Sequence, residues 1–434
     1  DLEALKLVRK TPLTAAQMKS DEELVEDVNH LMPCRDWQTL DNPLHAFKRV
    51  AKGARIAKPK HIFLIVGESI PQWSMDPLYM NFNICPGLRE FAADVHTACV
   101  PNFLPAGNVS RPSISSLISG IYDSGMELNE KEIFWNNTLP TALAAQIKRL
   151  GYQTIYWYGG NSSSGNFTKY GKAQGFDRIE NATEFCGPQA PQTWLGVYDH
   201  VFLEEAAKCI VAMDEPTFHF VYTTTNHGPY KLEDKYLDFD ARRDLPGVGD
   251  DILNRKDGNK GLATYKYCDK AIFDFVDAMK AKFPDSLFIV TGDHSNLFGE
   301  FNNTSFLHRD YTMREIRNTV FYMQHPELSQ TSLPASIGTH LSIMPTIIEA
   351  IAPKGFEYYA AVPSAFDEQP DVHVTPYQWI TSDMVGDVLG DYGQYQTYTA
   401  EPSEYIRPID NHAQDAEYWR SLSAWMMKFY ANVQ

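Results

Sequence analysis

The sequence lacks any hydrophobic run long enough to cross a membrane. Its strongly apolar runs are short, such as residues 62–66, whereas a membrane-spanning helix needs about 20 apolar residues. Basic residues are also scarce, because 38 Lys and Arg stand against 55 Asp and Glu and give a net charge of −17. Nucleic acids and anionic lipid surfaces repel so acidic a chain. We therefore expect that nucleic acid is not a partner.

Cysteines are few, and none of the six forms a CxxC pair. This spacing gives no indication of a zinc knuckle or a thioredoxin-type motif. The even number permits disulfides, and buried free thiols are the alternative, so the cysteines leave the cellular compartment open. Glycine and proline, with 26 of each among 434 residues, are too few for a collagen-like or low-complexity chain. With 44% hydrophobic residues, the composition is typical of a globular protein with a large core.

Continuous apolar runs recur along the chain and predict the strands of a buried, parallel sheet. The predicted strands are residues 61–67, 154–158, 217–222, 286–291 and 319–323. Helical patterns lie between them or follow them, at residues 110–121, 139–150, 265–279 and 342–351, whereas residues 247–261 predict a surface loop. Alternating strands and helices predict an α/β fold.

The pattern of predicted helices and strands divides the chain into three segments. Residues 1–57 predict a helical lead-in, and residues 58–362 carry the alternation of strands and helices. The alternation weakens after that, so residues 363–434 predict a small C-terminal appendage packed on the main domain.

Polar residues follow directly after four of the predicted strands. They are Glu68 and Ser69, the segment 159–164 with Asn161, Asn226 and His227, and Asp293 and His294. Taken singly, each is typical of a turn or a helix cap. Ligands in open α/β sheets bind beyond the carboxyl ends of the strands, so together these residues predict one site.

Glu68, Asp293 and His294 offer two carboxylates and one imidazole. This set of donors suits Zn²⁺ or Mn²⁺ and leaves a fourth position for a nucleophile. We expect that position to be taken by Ser110, which begins a predicted amphipathic helix with Pro112 in its first turn. Ser110 as a simple helix cap is the alternative. In the functional interpretation, the helix N-terminus holds a phosphate or sulfate group while the metal activates the serine hydroxyl.

The order of these motifs resembles the alkaline phosphatase/sulfatase superfamily, most closely its lipoteichoic acid synthase and phosphoethanolamine transferase branch. The motifs that carry the resemblance are Gly67-Glu68-Ser69, Gly107-Asn108-Val109-Ser110, Asn226-His227-Gly228-Pro229 and Gly292-Asp293-His294. The resemblance covers residues 58–350 and implies a mixed, mostly parallel central sheet flanked by helices. It also implies one Mn²⁺ or Zn²⁺ ion bound by Glu68, Ser110, Asp293 and His294, with Ser110 as the nucleophile.

The same resemblance implies that His227 and His308 contact the transferred phosphoryl group or the leaving group, as a histidine near neutral pKa can. Loop histidines bonded to backbone are the alternative. We also expect Asn226, Asn161 and Asn166 to contact substrate, although loop solvation is the alternative for Asn161 and Asn166.

Two positions depart from the family patterns. Ile114 stands where sulfatases carry an arginine, which argues against conversion of Ser110 to formylglycine. Residues 160–169 contain Gly165 and Phe167 where lipoteichoic acid synthases carry a Trp and an Arg for glycerol phosphate. The donor head group can therefore differ from theirs.

The resemblance implies a phosphotransferase that moves phosphoglycerol or phosphoethanolamine from a phospholipid donor to a glycan or lipid acceptor. We expect it to act in the periplasm or at the outer face of the bacterial cytoplasmic membrane. We further expect membrane proximity through a segment missing from this chain, because family members usually carry membrane helices. A phosphodiesterase or sulfatase-type hydrolase is the first alternative, and a non-catalytic scaffold is the second.

Overall fold

A seven-stranded sheet that contains the predicted apolar runs forms the centre of the protein. The computed structural model describes residues 12–296, 311–396, 405–406 and 412–433. With strands numbered along the chain, the sheet order is β3 (Thr97–Cys99), β9 (Phe321–Gln324), β8 (Leu287–Gly292), β2 (His61–Gly67), β7 (Thr217–Tyr222), β5 (Gln153–Tyr158) and β6 (Arg178–Asn181). The five strands predicted from the sequence are among them, with small shifts at their ends.

Parallel pairing brings the carboxyl ends of the central strands to one edge of the sheet. β2 pairs in parallel with β7 and β8, with Val66 opposite Tyr222 and Gly67 opposite Gly292. Every residue of β2 is buried, and successive side chains enter two different core clusters. Both faces of the sheet are therefore covered. β9 runs antiparallel to β8, which makes the sheet mixed and mostly parallel, as predicted.

Helices surround the sheet and short strands complete the chain. The helices are α1 (Pro12–Gln17), α2 (Asp21–Asn29), α3 (Pro86–Ala93), α4 (Ser110–Ser119), α5 (Leu143–Lys148), α6 (Phe167–Ala173), α7 (Ala182–Phe185), α8 (Asp199–Val211), α9 (Ala241–Asp244), α10 (Asp250–Leu253), α11 (Lys256–Lys282), α12 (Met313–Arg317), α13 (Ile343–Ile351) and α14 (Ala413–Val433). The remaining strands are β1 (Lys48–Val50), β4 (Asn102–Leu104), β10 (Ile337–Thr339), β11 (Glu357–Tyr359), β12 (His373–Val374), β13 (Gln378–Ile380), β14 (Met384–Asp387), β15 (Gly393–Tyr395) and β16 (Tyr405–Ile406). Within the described ranges, no helix is both long and apolar enough to cross a membrane.

The prediction of a surface loop at residues 247–261 is wrong for most of that segment. α10 and the first turns of α11 occupy it, and Gly258 and Gly261 are buried within α11. Each glycine lowers helix propensity by about 1 kcal/mol relative to alanine. The glycines nevertheless lie on a helix face that packs inside the protein, and tertiary packing outweighs this local preference.

The last part of the chain contains a second sheet and a long helix. β12 to β16 form an antiparallel sheet in chain order, and α14 follows it. α14 packs along α2, where Lys19 Nζ lies 2.6 Å from both Asp27 and Glu417. His30 stacks on Tyr418 with ring centroids 4.3 Å apart. The lead-in and the appendage are thus in contact, while the boundaries at residues 57 and 362 stay predictions.

Asp269 gives the folded protein a pH-dependent stability. Its carboxylate accepts hydrogen bonds from the Gly87 and Leu88 N–H groups at 2.7 and 2.9 Å, at the start of α3. Burial raises the pKa of Asp269 to about 7. Because this pKa is above that of an unfolded aspartate, the folded state binds the extra proton, and stability falls as the pH rises through 7.

We expect Asp269→Asn to reduce this fall by up to about 3 kcal/mol between pH 5 and pH 8. Urea unfolding at both pH values measures the difference. Asp277→Asn, which changes an exposed carboxylate on the same helix, is the matched control. A pH dependence equal to that of the unsubstituted protein would contradict the prediction.

Candidate active site

Three predicted metal ligands meet at the carboxyl edge of the central sheet. Glu68 follows β2, and Asp293 and His294 follow β8. Their ligand atoms lie within 4.8 Å of one another, and both carboxylates are almost completely buried. The parallel register of β2 and β8, with Gly67 opposite Gly292, places these side chains side by side.

Ser110 lies beside this cluster at the start of α4. Its Oγ is 3.3 Å from Glu68 Oε2 and 3.4 Å from His294 Nε2. α4 begins at Ser110, as the sequence predicts, and ends at Ser119, where Gly120 caps it in a left-handed conformation with φ 73°. Gly107 lets the preceding loop lie close to the helix, since a Cβ there would approach Pro112 to 2.7 Å. The half-buried hydroxyl therefore lies at the positive end of a helix dipole.

Four contacts within the cluster have lengths like the edges of a tetrahedral metal site, with Glu68 offering Oε1 towards His294 and Oε2 towards Ser110. His294 Nε2 lies 3.6 Å from Glu68 Oε1 and 3.6 Å from Asp293 Oδ2. Ser110 Oγ makes the contacts of 3.3 and 3.4 Å given above. A tetrahedral site with metal–ligand distances of about 2.0–2.2 Å has edges of about 3.3–3.6 Å. The donor set and its spacing thus suit an ion of the zinc class.

Hydrogen bonds orient the carboxylates. Asp293 Oδ1 accepts the N–H groups of Ser69 and His294 at 2.7 and 2.9 Å, which leaves Oδ2 facing the cluster. Glu68 Oε1 accepts the Ser69 hydroxyl at 2.6 Å, and the Glu68 N–H donates to the Thr223 hydroxyl. Both side chains are therefore held in place before any ligand arrives.

The imidazole of His294 is held by its other ring nitrogen. Nδ1 lies 2.8 Å from the Ser295 carbonyl oxygen, which can only accept, so Nδ1 carries the proton. The lone pair of Nε2 then faces Glu68, Asp293 and Ser110. This arrangement is typical of histidines that bind metal ions.

The site carries a buried excess of negative charge. Burial and the charge of Asp293 raise the pKa of Glu68 to about 7. Burial by itself would lower the pKa of His294, but the charges of Asp293 and Glu68 raise it overall. A bound cation would compensate this charge.

A comparison of sequences places the chain in a family. Residues 60–351 match the sequence model of the Sulfatase family, which is more than half of the chain. The chain belongs to the sulfatase family. This assignment agrees with the superfamily predicted from the motifs.

Lipoteichoic acid synthases are among the relatives of this sulfatase-family chain. The enzyme of Staphylococcus aureus (strain USA300) is 21% identical over 430 residues, which cover 96% of this chain and 63% of the relative. That of Staphylococcus saprophyticus is 23% identical over 309 residues, which cover 68% of this chain and 46% of the relative. The chain therefore spans less than two thirds of the length of these relatives.

Solved structures of the superfamily share the fold. A protein in the alkaline phosphatase superfamily from Vibrio parahaemolyticus has a TM-score of 0.66 at 18% identity, covering 95% of this chain and 97% of that one. The lipoteichoic acid synthase LtaP from Listeria monocytogenes has a TM-score of 0.62 at 13% identity and covers 94% and 98%. The zinc complex of the C-terminal periplasmic domain of EcEptC from Escherichia coli has a TM-score of 0.53 at 16% identity and covers 77% and 96%. These similarities confirm the predicted fold class.

Asn226 and His227 lie on the loop after β7, but they differ in exposure. Asn226 is buried, and its amide donates to the carbonyl oxygens of Glu68 and Ser69 at 3.1 and 3.4 Å. It therefore supports the loop that carries Glu68 and Ser69, and its contact with substrate stays a prediction. His227 is half-buried and bonds through Nδ1 to the Gly228 carbonyl oxygen at 2.6 Å, so its Nε2 remains for other partners.

The two other predicted substrate-binding asparagines stabilise loops of their own. Asn161 Oδ1 accepts the backbone N–H and the hydroxyl of Ser163 at 3.1 and 2.5 Å. Asn166 donates to Glu130 at 2.5 Å. Their contact with substrate stays a prediction. His308 lies outside the described residues of this sulfatase-family chain.

Motifs alone did not identify three residues at the site. The Tyr222 hydroxyl lies between Glu68 and Asp293, the exposed Trp194 packs edge-on against His227, and the buried Asp199 accepts the N–H groups of Thr224 and Thr225. Tyr222 could have been found from the sequence, because it ends a predicted central strand. Trp194 lies in a connection without a recognisable motif and Asp199 begins α8, and only the tertiary structure brings them beside the loop after β7.

Proposed function

We propose that this chain is the catalytic domain of an extracytoplasmic, metal-dependent phosphotransferase. It would move a phospholipid-derived head group, phosphoglycerol or phosphoethanolamine, to a glycan or lipid acceptor through a phospho-Ser110 intermediate. The observation that carries the proposal is the position of Ser110 Oγ, at a helix N-terminus and within 3.4 Å of a buried carboxylate and an imidazole. The similarity to lipoteichoic acid synthases supports a phosphoryl donor.

Glu68, Asp293, His294 and Ser110 would hold one divalent ion, Mn²⁺ or Zn²⁺. Such an ion lowers the pKa of the bound serine hydroxyl and stabilises negative charge on a phosphoryl oxygen. The zinc complex of the EcEptC domain supports an ion at a site of this fold. The description of that domain as periplasmic likewise supports an extracytoplasmic location.

Each side chain at the site has a separate role in the proposed transfer. Ser110 Oγ loses its proton to solvent, attacks phosphorus and forms the new O–P bond, while the bond to the diacylglycerol oxygen breaks. The N–H groups at the start of α4 bind the phosphoryl oxygens. His227 donates a proton to the departing alkoxide, and His308 is expected to stabilise charge on the phosphoryl group. An acceptor hydroxyl then gives its proton to His227 and attacks the same phosphorus, and the bond to Ser110 Oγ breaks as this oxygen takes up a proton from solvent.

A hydrolase of phosphate diesters or sulfate esters is the second candidate, and the match to the Sulfatase family model favours it. It would use the same site with water as the second acceptor. Ile114, in place of the arginine of sulfatases, favours an unmodified serine at position 110 over formylglycine.

Mass analysis of Ser110 tests the proposal. The protein is incubated with Mn²⁺ or Zn²⁺ and with vesicles of phosphatidylglycerol or phosphatidylethanolamine. After digestion, mass spectrometry measures the mass of the peptide that contains Ser110. We expect a glycerophosphate or phosphoethanolamine adduct, which is absent in Ser110→Ala. Loss of two hydrogens before incubation would indicate formylglycine and a sulfatase. An unmodified serine with both lipids would contradict the proposal.

A further inference from the structure

The Tyr222 hydroxyl lies against the two carboxylate oxygens that face the cluster. It is 2.9 Å from Glu68 Oε2 and 3.0 Å from Asp293 Oδ2. Glu68 Oε2 is the oxygen nearest to Ser110, and Asp293 Oδ2 is the oxygen nearest to His294. One phenol therefore contacts both carboxylates, at the Glu68 oxygen nearest to Ser110 and at the Asp293 oxygen nearest to His294.

The other oxygen of each carboxylate is fixed elsewhere. Asp293 Oδ1 accepts two backbone N–H groups, and Glu68 Oε1 accepts the Ser69 hydroxyl. A phenol has a single proton and donates it to one carboxylate oxygen at a time. When Tyr222 donates to one of Glu68 Oε2 and Asp293 Oδ2, the other oxygen receives no hydrogen bond from it. A divalent cation would neutralise the negative charge that the two carboxylates keep.

Tyr222 is itself held firmly. It is the last residue of β7, between Val66 of β2 and Tyr158 of β5. Its carbonyl oxygen accepts the Gly159 N–H at 2.9 Å, and its ring stacks on Tyr158 at 5.5 Å between centroids and 11° between planes. The side chain is only 5% exposed. The hydroxyl therefore keeps its place without further loss of conformational freedom.

We propose that Tyr222 is a positioning residue that sets the separation and orientation of Glu68 and Asp293 for the divalent ion. The inference rests on the proposed function, because it concerns the same metal site. Side chains that hold metal ligands in place typically strengthen metal binding by about 10- to 100-fold. Tyr222 acts through the two carboxylates, so its effect should appear in metal affinity as well as in turnover.

Titration calorimetry with Mn²⁺ and with Zn²⁺ tests the inference on the metal-free protein. We expect Tyr222→Phe, which removes only the hydroxyl, to increase the dissociation constant of each ion by about 10- to 100-fold. Tyr158→Phe is the matched control, because it removes the hydroxyl of the stacked partner, which makes no described hydrogen bond to either carboxylate. We expect its affinity to stay within about twofold of the unsubstituted protein.

The melting temperature shows whether Tyr222→Phe lowers metal affinity only because it destabilises the fold. The ring and its stacking on Tyr158 remain in Tyr222→Phe, so the melting temperature without metal should stay close to that of the unsubstituted protein. If it falls, the upward shift that each ion produces is compared, and we expect a smaller shift in Tyr222→Phe. Unchanged affinity in Tyr222→Phe would overturn the inference but leave the proposed function intact. An unsubstituted protein that binds neither ion would overturn both.

Discussion

Replacing Ser110 with alanine is expected to lower head-group transfer by at least about 1000-fold. The variant loses the only hydroxyl that α4 directs at Glu68 and His294 among the described residues, and with it the atom proposed to attack phosphorus. Release of diacylglycerol from a labelled phospholipid measures the loss. Alanine is compatible with the first turn of a helix, so the fold should be retained.

Ser119→Ala is the control for this variant. It removes a buried hydroxyl at the other end of the same helix, where Ser119 donates to the Ile121 carbonyl oxygen at 3.1 Å. We expect its transfer rate to stay within a few-fold of the unsubstituted protein. If Ser110→Ala kept a tenth of the activity, Ser110 would not be the nucleophile.

Removal of divalent ions by a chelator is expected to cause a loss of similar size, at least about 1000-fold. Without a cation, the buried carboxylates of Glu68 and Asp293 lie next to the position where the phosphate must bind, and like charges repel it. Adding Mn²⁺ or Zn²⁺ back should restore the rate, which a titration of activity against ion concentration measures.

The variant Asp293→Asn tests whether the ion that restores activity is bound at this site. The amide removes one negative charge but keeps nearly the same shape, so we expect far higher ion concentrations to be needed for any recovery. A chelated protein with full activity would contradict the metal-dependent mechanism. Recovery of Asp293→Asn at the same ion concentration as the unsubstituted protein would exclude Asp293 as a ligand.

The central strands and the cluster at their ends could be predicted from the sequence because both follow from local patterns. β2 is buried on both faces, so its apolar residues are continuous, and Glu68 follows at once. In contrast, the apolar pattern of β9 carries no information about direction, and its antiparallel pairing with β8 depends on the whole topology.

Two side chains near the site have orientations that only the tertiary structure determines. Asn226 lies in a motif beside His227, but its amide faces the protein interior and holds the Glu68 backbone. Tyr222 ends a predicted strand, which marks the correct edge of the sheet, but the contact of its hydroxyl with Glu68 depends on the register of β7 against β2. Residue type and spacing predict which chemistry is present, whereas tertiary structure decides which side chains face it.

The contact of α2 with α14 affects the order in which the protein can fold. Lys19, just before α2, forms its ion pair with Glu417 across 398 residues of sequence. During synthesis, the ribosome completes the seven-stranded sheet before it makes α14. α2 therefore cannot form its contact with α14 until the chain is nearly complete. Contacts between residues so far apart in sequence raise the contact order of the fold, which is typical of slow-folding proteins.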